Sequence, residues 1–311
     1  QLAAMRQMLA GGEPEIDIGP YCNAPYDCDF KPYCWQHIPE CSIFDIGNLR
    51  SSRKFSLYAG GVLHMREIPP DFTLSETMQI QVEAELTGRK YVNRRAIGDF
   101  LTLVTEPVGF LDFETFMEPV PSFDQQRPYQ QVPFQYSLHV LAEGTLSHHE
   151  FLGEAGQDPR PPLIAKLLAD IRSCKTVLVY NQAFEVGRLR EMAADFPAHA
   201  GEIENLVAEI VDLMTPFRNR DYYVREMCGS HSIKSVLPAL VPELSYDGLA
   251  IAEGETAMLA YARLATVRES EEREKIRQDL LAYCRLDTLA MVRIWEKLVS
   301  LVQPRGQLSL F

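Results

Sequence analysis

Asp112 and Glu114 stand two apart in the apolar run VGFLDFETF, and Tyr283 and Asp287 stand four apart in LLAYCRLDTLAM. In a strand, residues two apart share a face, so Asp112 and Glu114 project side by side. In a helix, residues four apart share a face, so Tyr283 and Asp287 also line up. Two neighbouring carboxylates on a buried strand repel and resist ionisation unless a cation lies between them. Hard divalent ions such as Mg²⁺ or Mn²⁺ are the natural counter-ions for oxygen donors. A further acid lies between the two motifs, in VLVYNQAFEVGRL. There a strand ends at Tyr180, Asn181 is a good helix-capping type, and Glu185 falls in the first helical turn, able to point across the sheet edge toward Asp112. Two metal ions about 3.5–4 Å apart need about this many carboxylates. Taken singly, each motif is ordinary, since salt bridges account for most such acids; the set and its order carry the argument.

The elements that must position these groups follow from hydrophobic pattern. VGFLDF, VPFQYSLHVL, LSHHEFL and KTVLVY read as strands, the second and third joined around Glu143–Gly144. PPLIAKLLADIRSC and QAFEVGRLREMAADF read as amphipathic helices, and residues 251–301 as mainly helical. Strands first, then alternating strand and helix, predict an α/β fold with a mixed sheet flanked by helices over residues 105–302. Residues 51–104 read as a helical connector broken at Pro69–Pro70 and Gly88, residues 1–50 as a small Cys-rich metal segment, and residues 303–311 as a flexible tail. The chain lacks an initiator Met and starts inside an apparent helix, which reads as a piece of something longer. His139, His148 and His149 alternate on the strands and read as structural.

The net charge of −13 over 311 residues argues against a protein that coats polyanions at large. A site that grips one strand end through bound metal needs no basic surplus. Arg89, Lys90, Arg94 and Arg95 in GRKYVNRR form one local basic cluster, and Ser230, His231, Ser232 and Lys234 in GSHSIKSVL, with Asn181, are candidate substrate contacts. No run approaches the roughly 18 apolar residues of a membrane span, and the start has no secretory layout, so a cytoplasmic location is expected.

Four of the seven cysteines, Cys22, Cys28, Cys34 and Cys41, crowd into PYCNAPYDCDFKPYCWQHIPEC; Cys174, Cys228 and Cys284 read as reduced packing residues. Such a segment buries little apolar surface, so a metal is expected to hold it together. The C-x2–4-C knuckle of zinc sites is absent. Wider spacing with interposed Pro and aromatic residues is compatible with a [4Fe–4S] cluster on four thiolates, with Zn²⁺ as the alternative.

The three acidic segments resemble the motifs of DEDD-type 3′–5′ exonucleases of the tyrosine subclass, which share the ribonuclease-H-like fold. The resemblance covers about residues 105–302. It implies Asp112, Glu114 and Asp287 as metal ligands, Glu185 at the acid position of the second motif and Tyr283 as the residue orienting the attacking water. At Glu185 the family usually has Asp; Glu is longer by one methylene, about 1.5 Å. RPYQQVPFQYSLH, GSHSIKSVLPAL and YCRLDT carry a resemblance of the whole chain to a bacterial family, largely uncharacterised, that joins a Cys-rich segment to this kind of domain. The Cys-rich segment is similar to the cluster-binding end of some helicase-associated and CRISPR-adaptation nucleases, in which three late cysteines join one far upstream. QLSLF resembles the bacterial sliding-clamp-binding pentapeptide at Gln307, Leu308, Leu310 and Phe311. Together these resemblances imply a two-metal exonuclease acting on single-stranded 3′ ends of DNA and recruited by a clamp. RNA as substrate, or a catalytically weak DNA- or clamp-binding module, are the alternatives.

Overall fold

The computed structural model describes residues 2–302. The chain divides into two compact units, one reaching Lys90 and including Cys228–Ser230, the other made of Tyr91–Met227 and the chain from His231 onward. The boundary therefore falls at residue 90, whereas the sequence pattern puts it at 104.

The first unit contains α1 (Leu2–Leu9), α2 (Lys31–Cys34), α3 (Ser51–Ala59) and α4 (Glu76–Thr87). Ile43, Ile46 and Leu49 pack with Leu57, Val62 and Met65 in one apolar core. Trp35, Phe44, Phe55 and Tyr58 stack edge to face beside it. Apolar burial therefore fixes the residues that follow the Cys-rich stretch, Ile43 to Leu49, to the next helices. Cys41 and Cys228 form a disulfide across 187 residues. Gly229, at φ +76°, follows it; a Cβ there would meet the Asp45 carbonyl oxygen at 1.8 Å, so only glycine fits.

The second unit is built on a sheet of five strands in the order β4-β3-β2-β5-β6. These are β2 (Val108–Met117), β3 (Gln131–Ala142), β4 (Thr145–Leu152), β5 (Thr176–Val179) and β6 (Ile210–Asp212). β2, β3 and β4 run antiparallel, and β5 and β6 lie parallel to β2. Glu143 and Gly144, both at positive φ, make the two-residue turn between β3 and β4. The α/β class, the mixed sheet and the flanking helices agree with the sequence pattern. The three residues of β6 are too few to show a period. The unit opens with β1 (Tyr91–Val92), paired with β7 (Tyr222–Tyr223), and with α5 (Arg94–Leu101). Arg94 donates to the Leu301 carbonyl, which is why residues 91–104 belong with the sheet.

Helices cover both faces. α6 (Arg160–Ile171), α7 (Gln182–Asp195) and α8 (Ala200–Ala208) pack on one face, against Leu111, Phe113, Tyr136, Leu138, Val177 and Val179. After α9 (Thr215–Arg218) and α10 (Ile233–Leu240), α11 (Gly254–Leu264) and the 33-residue α12 (Ser270–Val302) pack on the other, against Phe116, Val132 and Phe134. A register irregularity beside Glu114 lets Gln135 and Pro133 of β3 face consecutive residues of β2, leaving Phe134 as an extra residue. No described helix is long and apolar enough to cross a membrane.

Candidate metal centre

Alternation along β2 sends Leu111 and Phe113 into the core under α6–α8, so Asp112 and Glu114 face the α11–α12 layer. In the parallel register of β2 and β5, Phe110 lies opposite Leu178, which sets Tyr180 level with Asp112. There the chain turns sharply. Asn181 takes a left-handed conformation at φ +86°, and its backbone N–H donates to Asp212 Oδ1 at 3.1 Å. Asp212 also accepts from the Met214 N–H and the Arg218 guanidinium, so this buried carboxylate fixes the turn. α7 starts next, with Glu185 in its first turn and only 2 % exposed. From the opposite side, α12 presents Tyr283, Cys284, Asp287 and Thr288, all buried.

Four carboxylates from three distant segments thus meet. Burial raises Asp112 well above the usual range, and the charges of Asp287, Glu185 and Glu114 add to it. Burial, then the charge of Glu114, raises Glu185 in the same way. Glu114 is pushed up to about 8, first by burial and then by Asp287, against an opposing pull from Lys234. Asp287 rises to about 6 through burial, held back by hydrogen bonds from Tyr246 and Tyr283 and by Lys234. Glu185 Oε2 is buried without a hydrogen-bond partner, a costly state for a carboxylate unless another group completes it. One oxygen each of Asp112 and Glu114 and the Cys284 sulfur lie within 4.8 Å of one another. Mutually repelling oxygen donors, half-buried at Asp112 and buried at Glu114, Glu185 and Asp287, with an unsatisfied lone pair fit a hard divalent cation such as Mg²⁺ or Mn²⁺.

The groups behind these donors hold them in place. Thr288 Oγ1 lies 2.7 Å from Ser137 Oγ and 2.8 Å from His139 Nδ1, and Ser137 Oγ lies 2.9 Å from His148 Nε2. Burial lowers His139 to about 3 and His148 to about 4, so both rings are neutral at ordinary pH. Gln135 Nε2 donates to the Leu280 carbonyl at 2.8 Å. α12 is therefore keyed to β3 on both sides of the catalytic candidates. Tyr246 and Asp212 escape a sequence reading, because both lie where no periodicity marks them. Cys284 was legible in principle: three residues before Asp287, it shares that helical face.

The other expected site residues fall as follows. Lys234 is exposed on the first turn of α10 and donates to the Ala252 carbonyl at 2.7 Å, close enough for its charge to act on Glu114 and Asp287. The Asn181 side chain is exposed and caps nothing. Cys22 is buried, with its sulfur accepting from the Gly19 N–H at 3.5 Å, and Cys28 and Cys34 are exposed thiols. Cys41 is corrected as a metal ligand, and Cys228 as a reduced packing residue, because each sulfur is spent on the other. Three thiols remain in the segment, which do not by themselves fit a four-thiolate [4Fe–4S] cluster. Gln307, Leu308, Leu310 and Phe311 lie outside the described residues.

A family model described as a domain of unknown function, DUF2779, matches residues 109–232. The matched stretch includes Asp112, Glu114 and Glu185 and stops before Tyr283 and Asp287. The chain is similar to the uncharacterized protein MG366 homolog of Mycoplasma pneumoniae, 27 % identical over 206 residues that make up 60 % of this chain and 31 % of the relative. It is also similar to the uncharacterized protein UU173 of Ureaplasma parvum serovar 3, 23 % identical over 276 residues, 76 % of this chain and 39 % of that one. The chain thus spans about a third of the length of the curated relatives it matches. No solved structure matches it significantly.

Proposed function

We propose that this chain is a metal-dependent phosphodiesterase of the 3′–5′ exonuclease kind, acting on DNA. The observation that carries this reading is the convergence of Asp112, Glu114, Glu185 and Asp287, from three segments, with one buried carboxylate oxygen left unpartnered. The mixed sheet, with its first two acids on β2 and its last on the helix behind, supports a ribonuclease-H-like fold. Such a set of carboxylates would hold two divalent ions, which would supply water activation and charge stabilisation at the leaving oxygen. Asp112, Glu114 and Asp287 are the ligands of this reading, and Glu185 supplies the fourth carboxylate. Tyr283 keeps its phenolic proton, because burial and the surrounding acids hold its pKa far above the usual range. It is thus a hydrogen-bond donor that orients the attacking water. Lys234, on the rim, is suited to a phosphate oxygen. The preference for DNA rests on the clamp-like sequence at Gln307–Phe311, which would tether the enzyme near single-stranded 3′ ends.

The test is hydrolysis of end-labelled single strands, matched in DNA and RNA, by the purified chain with Mg²⁺ or Mn²⁺. Stepwise shortening of DNA from the 3′ end is expected, with Asp112→Asn slower by about 10²–10³-fold. No shortening with either metal, or full activity in Asp112→Asn, would falsify the reading.

A further inference from the structure

Cys284 plays no part in that hydrolysis, yet its sulfur faces the central ligand. The residue is fully buried, and its Sγ lies 3.7 Å from Asp112 Oδ2 and 3.8 Å from the Asp112 carbonyl oxygen. A tetrahedral centre with a metal–sulfur bond of about 2.3 Å and metal–oxygen bonds of about 2.0–2.2 Å has a sulfur–oxygen edge of about 3.6 Å. The Cys284–Asp112 spacing matches the tetrahedral edge, and Glu114 supplies a third donor atom within the same 4.8 Å span. Independently of these three groups, Glu185 Oε2 is buried and unpartnered, and its carboxylate senses the charges of Glu114 and Asp287.

We propose that Asp112, Glu114 and Cys284 form a site for a thiophilic, tetrahedral divalent cation of the Zn²⁺ or Cd²⁺ kind, its fourth position filled by water or by the adjoining, unpartnered Glu185 carboxylate turning in. Binding forms a metal–sulfur bond and releases the thiol proton to solvent, since a coordinated thiol is deprotonated. In the absence of such an ion the thiol donates weakly to Asp112 and leaves the carboxylates to harder ions. One consequence rests on the phosphodiesterase reading: a thiophilic ion occupies ligands that Mg²⁺ or Mn²⁺ needs, and so inhibits hydrolysis.

The experiment strips the full chain with chelator, titrates it with Cd²⁺ alone and follows cadmium NMR. The expected result is a resonance of the mixed sulfur–oxygen type, coupled to the β-protons of one cysteine. It is distinct from any cadmium held by several sulfurs among Cys22, Cys28 and Cys34. Cys284→Ser should lose that resonance and weaken Zn²⁺ binding by at least the ~10–100-fold that loss of a supporting ligand contact costs, while still binding Mn²⁺. A resonance or Zn²⁺ affinity unchanged in Cys284→Ser overturns the proposal. Should that variant fail to bind Mn²⁺, the wild-type spectrum decides alone: coupling to Cys284 upholds the site, and its absence rejects it. Zn²⁺ inhibition of Mn²⁺-dependent DNA shortening, relieved in Cys284→Ser, is the separate activity arm. A chain that binds Cd²⁺ through Cys284 but never cuts DNA sinks the phosphodiesterase reading and leaves this site standing.

Discussion

Tyr246 Oη donates to Asp287 Oδ1 at 2.5 Å, and its ring lies 6.3 Å from that of Tyr283. The bond fixes the rotation of the carboxylate and favours its charged form. Tyr246→Phe removes both effects without opening a cavity. Calorimetric titration should show Mn²⁺ binding weakened by about 10–100-fold, the usual cost of losing an orienting partner behind a ligand. Equal affinity in the two proteins would mean that Tyr283 and the helix alone orient Asp287.

Tyr283→Phe should separate binding from chemistry. The phenol is not among the proposed ligands but also hydrogen-bonds Asp287, so Mn²⁺ affinity should fall by no more than the ~10–100-fold that an orienting partner costs, and turnover is read at saturating Mn²⁺. The turnover number on single-stranded DNA should fall by about 10²-fold or more. A fall confined to KM would assign Tyr283 to substrate binding instead.

The four acids also set a dependence of stability on pH. Asp112, Glu114, Glu185 and Asp287 all hold their protons more tightly in the fold than in the unfolded chain. Above the ordinary carboxylate range the folded form therefore binds more protons, and stability falls as pH rises. The contribution is whole below about pH 4 and is lost through about 6 for Asp287 and about 8 for Glu114. His139 and His148, lowered to about 3 and 4, act in the opposite sense, costing stability as pH falls below about 6.5. Scanning calorimetry of the metal-free chain should thus show the melting temperature declining from pH 6.5 to 8. Mn²⁺ should raise it more at pH 8 than at 6.5. Asp112→Asn should flatten the decline and raise the metal-free melting temperature, by about 2–4 °C for each kcal/mol of repulsion relieved. A melting temperature that climbs between pH 6.5 and 8 without metal would contradict this account.

Thr288→Val should leave Ser137 Oγ and His139 Nδ1 each one partner short in a buried site. The expected cost is about 1–3 kcal/mol, read from urea denaturation, with Thr288→Ser recovering most of it. Because Thr288 adjoins Asp287, Mn²⁺ affinity should fall in the valine variant as well.

Much of this arrangement was legible in the chain. Period-two alternation marked β2 to β4, the apolar run at Thr176–Val179 marked β5, and helical spacing aligned Tyr283 with Asp287. Glu185 followed from a strand ending next to a residue of helix-capping type, although the Asn181 side chain itself caps nothing. The rest depends on contacts that leave no local trace. Cys41 finds Cys228 across 187 residues, so spacing inside the Cys-rich stretch could not reveal the pairing. Tyr246 reaches Asp287 from an irregular segment between α10 and α11, and Asp212 acts from a strand of only three residues. Cys284 looked like core because it is core; its second neighbour, Asp112, becomes visible only when α12 is laid against β2.

The extra residue in β3 has a consequence for how this chain can vary. It allows two adjacent residues to face the same helical layer: Phe134 stacks on Tyr261 of α11 with ring centroids 4.0 Å apart, and Gln135 holds Leu280 of α12. A regular strand would offer only one of the two, and one helix beside the acids would lose its anchor. Substitutions along β3 can keep both grips, whereas gaining or losing a single residue between 132 and 137 exchanges inward for outward side chains on one side of the irregularity. Drift in this lineage is therefore expected to change letters in that stretch far more readily than its length.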